Sequence, residues 1–462
     1  MATVTDRLER ALEREAPVWG IRPVPPERRV LSGLDLGVLW GDLSVGLLVM
    51  VTGALLVPAL GLGSALLAIA IGSAVGCVPL ALVALAGARE RVPTMVLLRP
   101  VLGARGSFVP SALNVLQLVG WTAVEFWAMG EVANVASVRL FGFEARSLWV
   151  TVVAVVCTAL ALGGPILVIR RWLERFAIYV LIGTAVWITV EILRAGDVGD
   201  LWRLPGDGGL PFWVAVDLVI VMPVSWLPLA ADYTRFARPG SRPVAGTYVG
   251  YLIGNVWFYA LGVLLALAGA SADAIGIGSA IVAVAGGGLV LVALLVGESD
   301  NAFADIYSAA LSTQNVVPKA PQRGVALAVG AIALALALLF TMESYELFLI
   351  LIGSVFVPLF GVFAAVYFVR HRGAFGEEAI FQRSGVRWSA LAPWIAGFVV
   401  YHWTAATGPA WWTEAVETVL SDWLSLPYPL FGSRLGASLP SFVASFGLAL
   451  VLPARAGVAT GR

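Results

Sequence analysis

The stretch "LVGESDNAFADIY", Leu295 to Tyr307, sets Glu298, Asp300 and Asp305 beside Ser299 and Asn301, directly after the apolar run "GGGLVLVALL". Carboxyls, a hydroxyl and an amide so close together offer oxygen donors to a cation, carriers for protons, or acceptors for a polar ligand. On a helix, Glu298, Asn301, Asp305, Ser308 and Ser312 follow 3- and 4-residue steps and share one face, whereas Val296, Ser299 and Asp300 fall on another side. One helix therefore serves two sites. A second stripe, in "LNVLQLVGWTAVEFWAMG", places Asn114, Gln117, Trp121 and Glu125 on one face. In a soluble protein such groups would simply point at water.

Composition argues for a different solvent. Of the 462 residues 60% are hydrophobic and 13% charged, with mean hydropathy +0.91, where an average soluble domain carries about 25% charged residues. Runs such as "VGLLVMVTGALLVPALGLG", "LWVTVVAVVCTALALGGPILVI" and "GVALAVGAIALALALLF" are long enough to cross about 30 Å of hydrocarbon as helices, and they lack the alternation of barrel strands. A carboxylate at that depth costs about 2.5 kcal/mol or more. Glu298, Asp300 and Asp305 thus cannot all stay ionised and unpaired; a cation or shared protons must compensate. The bland alternative, that each carboxyl only bonds a neighbouring helix, weakens as such groups accumulate on one face.

These runs predict an all-α membrane protein of twelve spans near 33–60, 63–87, 107–135, 147–168, 174–194, 212–230, 244–270, 286–315, 322–341, 346–369, 387–405 and 438–455. With both termini cytoplasmic, most of the 29 Lys and Arg residues fall on the inside, in segments such as "RPVLGAR", "RRWLER", "RFARPGSR" and "RHRGAFGEEAIFQR". Residues 1–32 mix Arg with Glu, have no apolar core, and read as a cytoplasmic tail. Residues 406–437, rich in Trp and Pro, read as an interfacial helix and loop. No soluble domain fits between the spans. Zero net charge indicates neither a nucleic acid nor another charged partner. Cys77 and Cys157 sit in apolar runs with no disulfide or metal-ligand spacing, and His371 and His402 lie far apart. Nothing here suggests an enzyme or a resident cofactor.

Two spans look breakable. "LWGDLSVGLL" puts Gly41, Asp42, Ser44 and Gly46 inside the apolar run of span 1, and "VMPVSWLPLAADYTR" brackets Ser225 and Trp226 with Pro223 and Pro228 in span 6. A mid-helix proline removes a hydrogen bond and clashes with the preceding turn. Transporters bind substrate where helices break, because unwound backbone supplies dipoles and carbonyls. The two breaks begin two sets of five spans, 33–194 and 212–369, which suggests an inverted repeat followed by two further spans in 387–455.

Together "RVPTMVLLRPVLGARGSFVPSALNVLQLVGWTAVEFW", "MPVSWLPLAADYTRFA" and "SDNAFADIYSAALS" resemble the nucleobase:cation symporter-1 family of cytosine permeases and a bacterial hydantoin transporter, from about Pro23 to Val369. "NVLQLVGWTAV" and "MPVSWLPL" are most similar to its hydroxymethylpyrimidine (thiamine-precursor) transporters. The resemblance implies a leucine-transporter-like 5+5 repeat, with substrate held between spans 1, 3, 6 and 8. It implies stacking on Trp121, a contact from Ser225, and a family Asn at Asn301. Glu125 and Asp305 replace a Gln and an Asn of the family, and Pro223 replaces an aromatic that Trp226 could supply instead. The family's sodium site maps to carbonyls at Gly41, Ser44 and Val296 and a hydroxyl at Ser299. A second hydroxyl has become Asp300, so the ion is Na⁺ or H⁺, with Asp42 and Glu298 as further coupling groups.

A flat heteroaromatic substrate fits these residues: indoles for its faces, polar groups for its edge. A protonated Glu125 would donate to a ring nitrogen and accept from the adjacent exocyclic amine, a fork suited to 4-aminopyrimidines. The expected function is cation-coupled import of cytosine or hydroxymethylpyrimidine across a bacterial inner membrane, by a monomer or weak homo-oligomer in the lipid bilayer. The alternatives are a purine-, hydantoin- or allantoin-type permease of the same family, or a proton-coupled amino-acid transporter of the same architecture.

Overall fold

The computed structural model describes residues 20–162, 178–195, 198–283, 286–339, 342–382, 385–405, 408–430 and 434–452. Most of the expected cytoplasmic tail, the "RRWLER" cluster and the ends of spans 4, 5, 9 and 12 lie outside the described residues.

Each of the twelve expected spans coincides with a helix or a broken helix: Gly33–Asp42 with Leu47–Ala54, then Leu62–Glu90, Phe108–Phe141, Arg146–Ala161, Ile178–Ala195, Phe212–Ser225, Pro243–Leu267, Gly287–Val316, Gln322–Ala337, Met342–Ala364, Trp388–Thr404 and Ser438–Val451. No strand forms among the described residues. Among the described residues, four single helices and one bent pair suffice, by length and composition alone, to cross a bilayer. Spans 3 and 8, at 34 and 30 residues, have the length but carry the polar stripes. Burial runs opposite to that of a soluble protein. Leu67, Val75 and Val78 on span 2 are exposed, while Asp42, Glu125, Glu298, Asp300 and Asp305 are buried.

The break in span 1 is sharp. Its halves meet at 58° across Leu43–Gly46, where Val45 N–H donates to Asp42 O at 3.0 Å in a single turn. Span 6 is broken more gently than its two prolines suggested. A 3₁₀ turn at Leu227–Leu229 separates Phe212–Ser225 from a short helix at Ala230–Thr234, yet Phe212–Thr234 still qualifies as one span.

Span 1 lies backbone-to-backbone along span 7. Gly33, Gly37 and Gly41 face Gly246, Gly250 and Gly254, and a Cβ added to Gly250 would collide with the Gly37 carbonyl. Such contact between small residues is how helices gain dispersion energy in lipid, where no hydrophobic effect drives them together. Spans 3 and 8 are zipped by their stripes: Asn114 Nδ2 donates to Ser312 Oγ at 2.8 Å, and Asn315 Nδ2 donates to Ser111 Oγ at 2.8 Å. Span 12 is tied to span 6 by Asp217, whose carboxylate accepts from Ala437 N at 2.9 Å and Ser438 N at 3.2 Å and so caps the incoming helix.

Two features outside the spans complete the fold. A ten-residue helix, Ala274–Ala283, fills what the sequence suggested was a loop between spans 7 and 8, with Ile277 and Ile281 buried. Within the expected interfacial segment, Ala410–Glu417 is helical, and Trp411 and Trp423 are 69% and 75% exposed.

The span 1–span 7 contact makes a stability prediction. Gly250→Ala should destabilise the detergent-purified protein by about 1–3 kcal/mol through overpacking, read as a lower melting temperature. Gly447→Ala, where an added Cβ meets nothing within 4 Å, should leave the melting temperature unchanged or raised, as helix propensity favours Ala.

Candidate functional site

In span 1, Gly46 is extended, at φ 168° and ψ 173°, and the second half-helix begins at Leu47 with amides that have no acceptor within the helix. Glu298 of span 8 meets them: its Oε2 accepts from Leu47 N at 3.0 Å. Any residue tolerates that backbone; the space is what demands glycine. A Cβ on Gly46 would fall 2.8 Å from Glu298 Oε1 and closer still to Oε2.

Glu298 also ties this break to span 3, because the Glu125 carboxyl lies at hydrogen-bonding range of it. Two residues further along span 8, Asp300 pairs with Asp42 at the end of the first half-helix. None of the four oxygens of Asp42 and Asp300 accepts a bond from an N–H or hydroxyl, nor do Glu298 Oε1 and Glu125 Oε2. Carboxyl–carboxyl contacts without other donors require a shared proton or a cation between them.

Around Glu298 the four helices enclose a cavity. It is lined by Leu43, Leu48 and Val49 of span 1, Trp121 and Glu125 of span 3, Met222, Ser225 and Trp226 of span 6, and Glu298, Asn301 and Asp305 of span 8. The space open to the centre of a water molecule is about 20 Å³, room for roughly one water. A ring enters only if neighbours move. Trp121 contacts Phe348 with ring centroids 5.4 Å apart at 70°, and Trp226 contacts Trp40 at 6.1 Å and 85°.

Six of the eight residues expected to bind substrate therefore share this cavity. Gln117 and Pro223 do not line it. Gln117 Nε2 instead donates to Asn114 Oδ1 at 2.9 Å and to the Ser225 carbonyl at 3.3 Å, bracing span 3 against the bend in span 6. Pro223 faces Gly76 of span 2, where an added Cβ would touch its Cγ at 2.5 Å, and Met222 takes the cavity position. Leu43, Leu48 and Val49 went unnoticed because apolar residues in an apolar run carry no signal. Met222 could have been found from its place beside the Pro223 kink.

Among the residues expected to hold a cation, Ser44 Oγ donates to the Gly41 carbonyl at 2.7 Å and Ser299 Oγ donates to the Val296 carbonyl at 2.6 Å. Both hydroxyl oxygens keep lone pairs, and the Asp42–Asp300 pair links the two groups. Among the described residues no three His, Cys, Asp or Glu side chains converge as a metal site. The donor set of carbonyl, hydroxyl and carboxyl oxygens fits a hard cation.

The Gly46–Glu298 contact is directly testable. Gly46→Ala should abolish ligand binding and lower the melting temperature, and adding Glu298→Asp should restore part of the stability. A double-mutant cycle read by thermal unfolding measures this coupling, expected at about 0.5–3 kcal/mol.

Comparison with known proteins follows from this geometry. The model of the family "Permease for cytosine/purines, uracil, thiamine, allantoin" matches residues 23–423. The cytosine permease of Escherichia coli (strain K12) is 25% identical over 398 residues, 84% of this chain and 89% of that protein. The allantoin permease of Bacillus subtilis (strain 168) is 24% identical over 341 residues, 65% and 67% of the two chains. Among solved structures, a nucleobase-cation-symport-1 family transporter in a closed conformation with bromovinylhydantoin bound superposes with TM-score 0.78 at 18% identity, covering 93% of this chain and 94% of that one. A Na⁺-coupled sialic acid symporter gives TM-score 0.63 at 14% identity, covering 96% and 95%. With the family matched over most of its length and the fold over nearly all of it, the chain belongs to the nucleobase:cation symporter-1 family of cytosine, purine, uracil, thiamine and allantoin permeases.

Proposed function

We propose that the protein imports a pyrimidine-type nucleobase or thiamine precursor, cytosine or hydroxymethylpyrimidine, by cation symport across a bacterial inner membrane, with both termini cytoplasmic. The observation that carries this reading is the cavity at the break of span 1. Two indoles, three carboxyls and Asn301 border it together. Trp121 and Trp226 supply surface for a flat ring, and Glu125 supplies the fork for a ring nitrogen and its neighbouring amine. Entry of the ring requires the residues lining this small cavity to move apart. The 5+5 repeat, with halves 33–194 and 212–369, gives the two bodies that rock about this site.

The cation, Na⁺ or alternatively H⁺, sits in this reading between Gly41, Ser44, Val296, Ser299 and Asp300, with Asp42 alongside. It bridges span 8 to span 1 and favours the substrate-competent state, so that its gradient drives uptake. An amino-acid substrate is disfavoured: Glu298 already occupies the half-helix amides that would receive a carboxylate. A purine-, hydantoin- or allantoin-type substrate is the second reading, favoured by the allantoin permease among the relatives and by the hydantoin held in the structural neighbour.

Two experiments test this reading. Glu125→Leu should weaken binding of 4-aminopyrimidines about tenfold or more relative to uracil, since a ring edge loses both partners. Glu125→Gln should retain neutral aminopyrimidines, because an amide reproduces the fork. Equal affinities for all three proteins in a radioligand assay would refute the role of Glu125. For coupling, the Ser299→Ala, Asp300→Ala double variant should lose the dependence of substrate affinity on Na⁺. In the parent, Na⁺ and substrate should raise each other's affinity by the same factor, about 5- to 150-fold. Retained ion dependence in proteoliposome uptake by the double variant would remove the ion site from these residues.

A further inference from the structure

We propose that the ligand of this cavity carries a positive charge on its ring, so that the species bound is a cationic amino-heterocycle rather than a neutral or anionic one. The inference rests on the transport reading above and narrows its substrate class. Three of the eleven residues that line the cavity are acidic, and none is Lys, Arg or His. Acceptors there outnumber donors. Glu125 Oε2, Glu298 Oε1 and Asn301 Oδ1 are buried and take no hydrogen bond. The backbone donors at the start of the second half-helix, Leu47 N and Leu48 N, are both spent on the Glu298 carboxyl. The Ser225 hydroxyl is spent on the Met222 carbonyl at 2.7 Å. Arg235, the buried guanidinium at the end of span 6, does not reach the cavity; its nitrogens donate to Gly20 O at 2.6 Å, Tyr307 Oη at 2.9 Å and Asp232 O at 3.2 Å.

A neutral ring with as many acceptors as donors would leave some of these oxygens unpaired, and an anion would add to their repulsion. A cationic ring supplies both what is missing, N–H donors and positive charge. The indoles of Trp121 and Trp226 suit the same ligand, because a cation is attracted to the face of an aromatic ring. The Glu125 fork survives unchanged in this form: the hydrogen bond to the ring nitrogen is the same, with its proton placed on the ring.

The test compares two ligands of one shape on the purified full-length protein. 4-Amino-1-methylpyridinium bears a permanent charge, and 4-methylaniline is its uncharged isostere. Binding of each is measured by calorimetry in sodium buffer, beside cytosine uptake into proteoliposomes as an independent readout of the transport reading. The pyridinium should bind about tenfold tighter or better and compete with uptake, and Asp305→Asn should reduce that preference by a similar factor. If the pyridinium fails to outbind 4-methylaniline while cytosine uptake is intact, the charge inference falls and the transport reading stands. If neither ligand binds and cytosine is not taken up, both fall.

Discussion

The architecture of the site depends on one contact, the Glu298 carboxylate on the amide of Leu47. A helix broken inside a membrane exposes amides and carbonyls that water cannot reach, and each must find a partner within the protein. In span 1 the partner comes from span 8, and it is a carboxyl. That choice has consequences. It demands a glycine at 46, because the carboxylate occupies the space of a side chain. It brings Glu125 of span 3 against the same carboxyl and so draws three helices to one point. It also draws the Glu298 carboxyl to the rim of the cavity, where Asp305 adds another.

Glycine and proline divide the work of shaping the two breaks. Span 1 bends by 58° with no proline, through Gly46 and the turn at Asp42–Val45, and its glycines let it lie flat on span 7. Span 6 holds two prolines and bends less, because Pro223 packs into the space that Gly76 leaves in span 2 and the 3₁₀ turn absorbs Pro228. Proline removes a hydrogen bond wherever it sits. How far the helix then departs from straight is set by what it packs against.

That contrast also marks how far the residues alone could be read. The spans were legible because hydropathy and length are local properties. The stripes on spans 3 and 8 were legible because helical spacing dictates a face, and Asn114 does meet Ser312 across that face. The family's motifs then named the helices that converge. Contacts between distant segments left no such trace. Asp217 caps a helix 220 residues away, and Pro223 turns to Gly76 rather than inward. Gln117 shows the same limit from the other side: its stripe placed it correctly on the helix face, but one turn along it serves as a brace to Ser225 rather than as cavity wall. The helix Ala274–Ala283 was missed because a short apolar stretch between Gly-rich loops looks the same whether or not it folds back on the bundle.

Residues two apart on a helix point about 200° apart, and span 8 uses that angle. Glu298 reaches the start of the second half of span 1, and Asp300 reaches Asp42 at the end of the first half. One rigid helix therefore holds both sides of the break. The cavity borders Glu298, and the proposed cation position includes Asp300. Whatever binds at either place changes the charge on one of these two grips, and so changes how firmly span 8 holds one half of span 1. Coupling between the two ligands then needs no extended pathway through the protein. It is the difference in free energy between two arrangements of a single break, biased from both sides by two side chains of one helix.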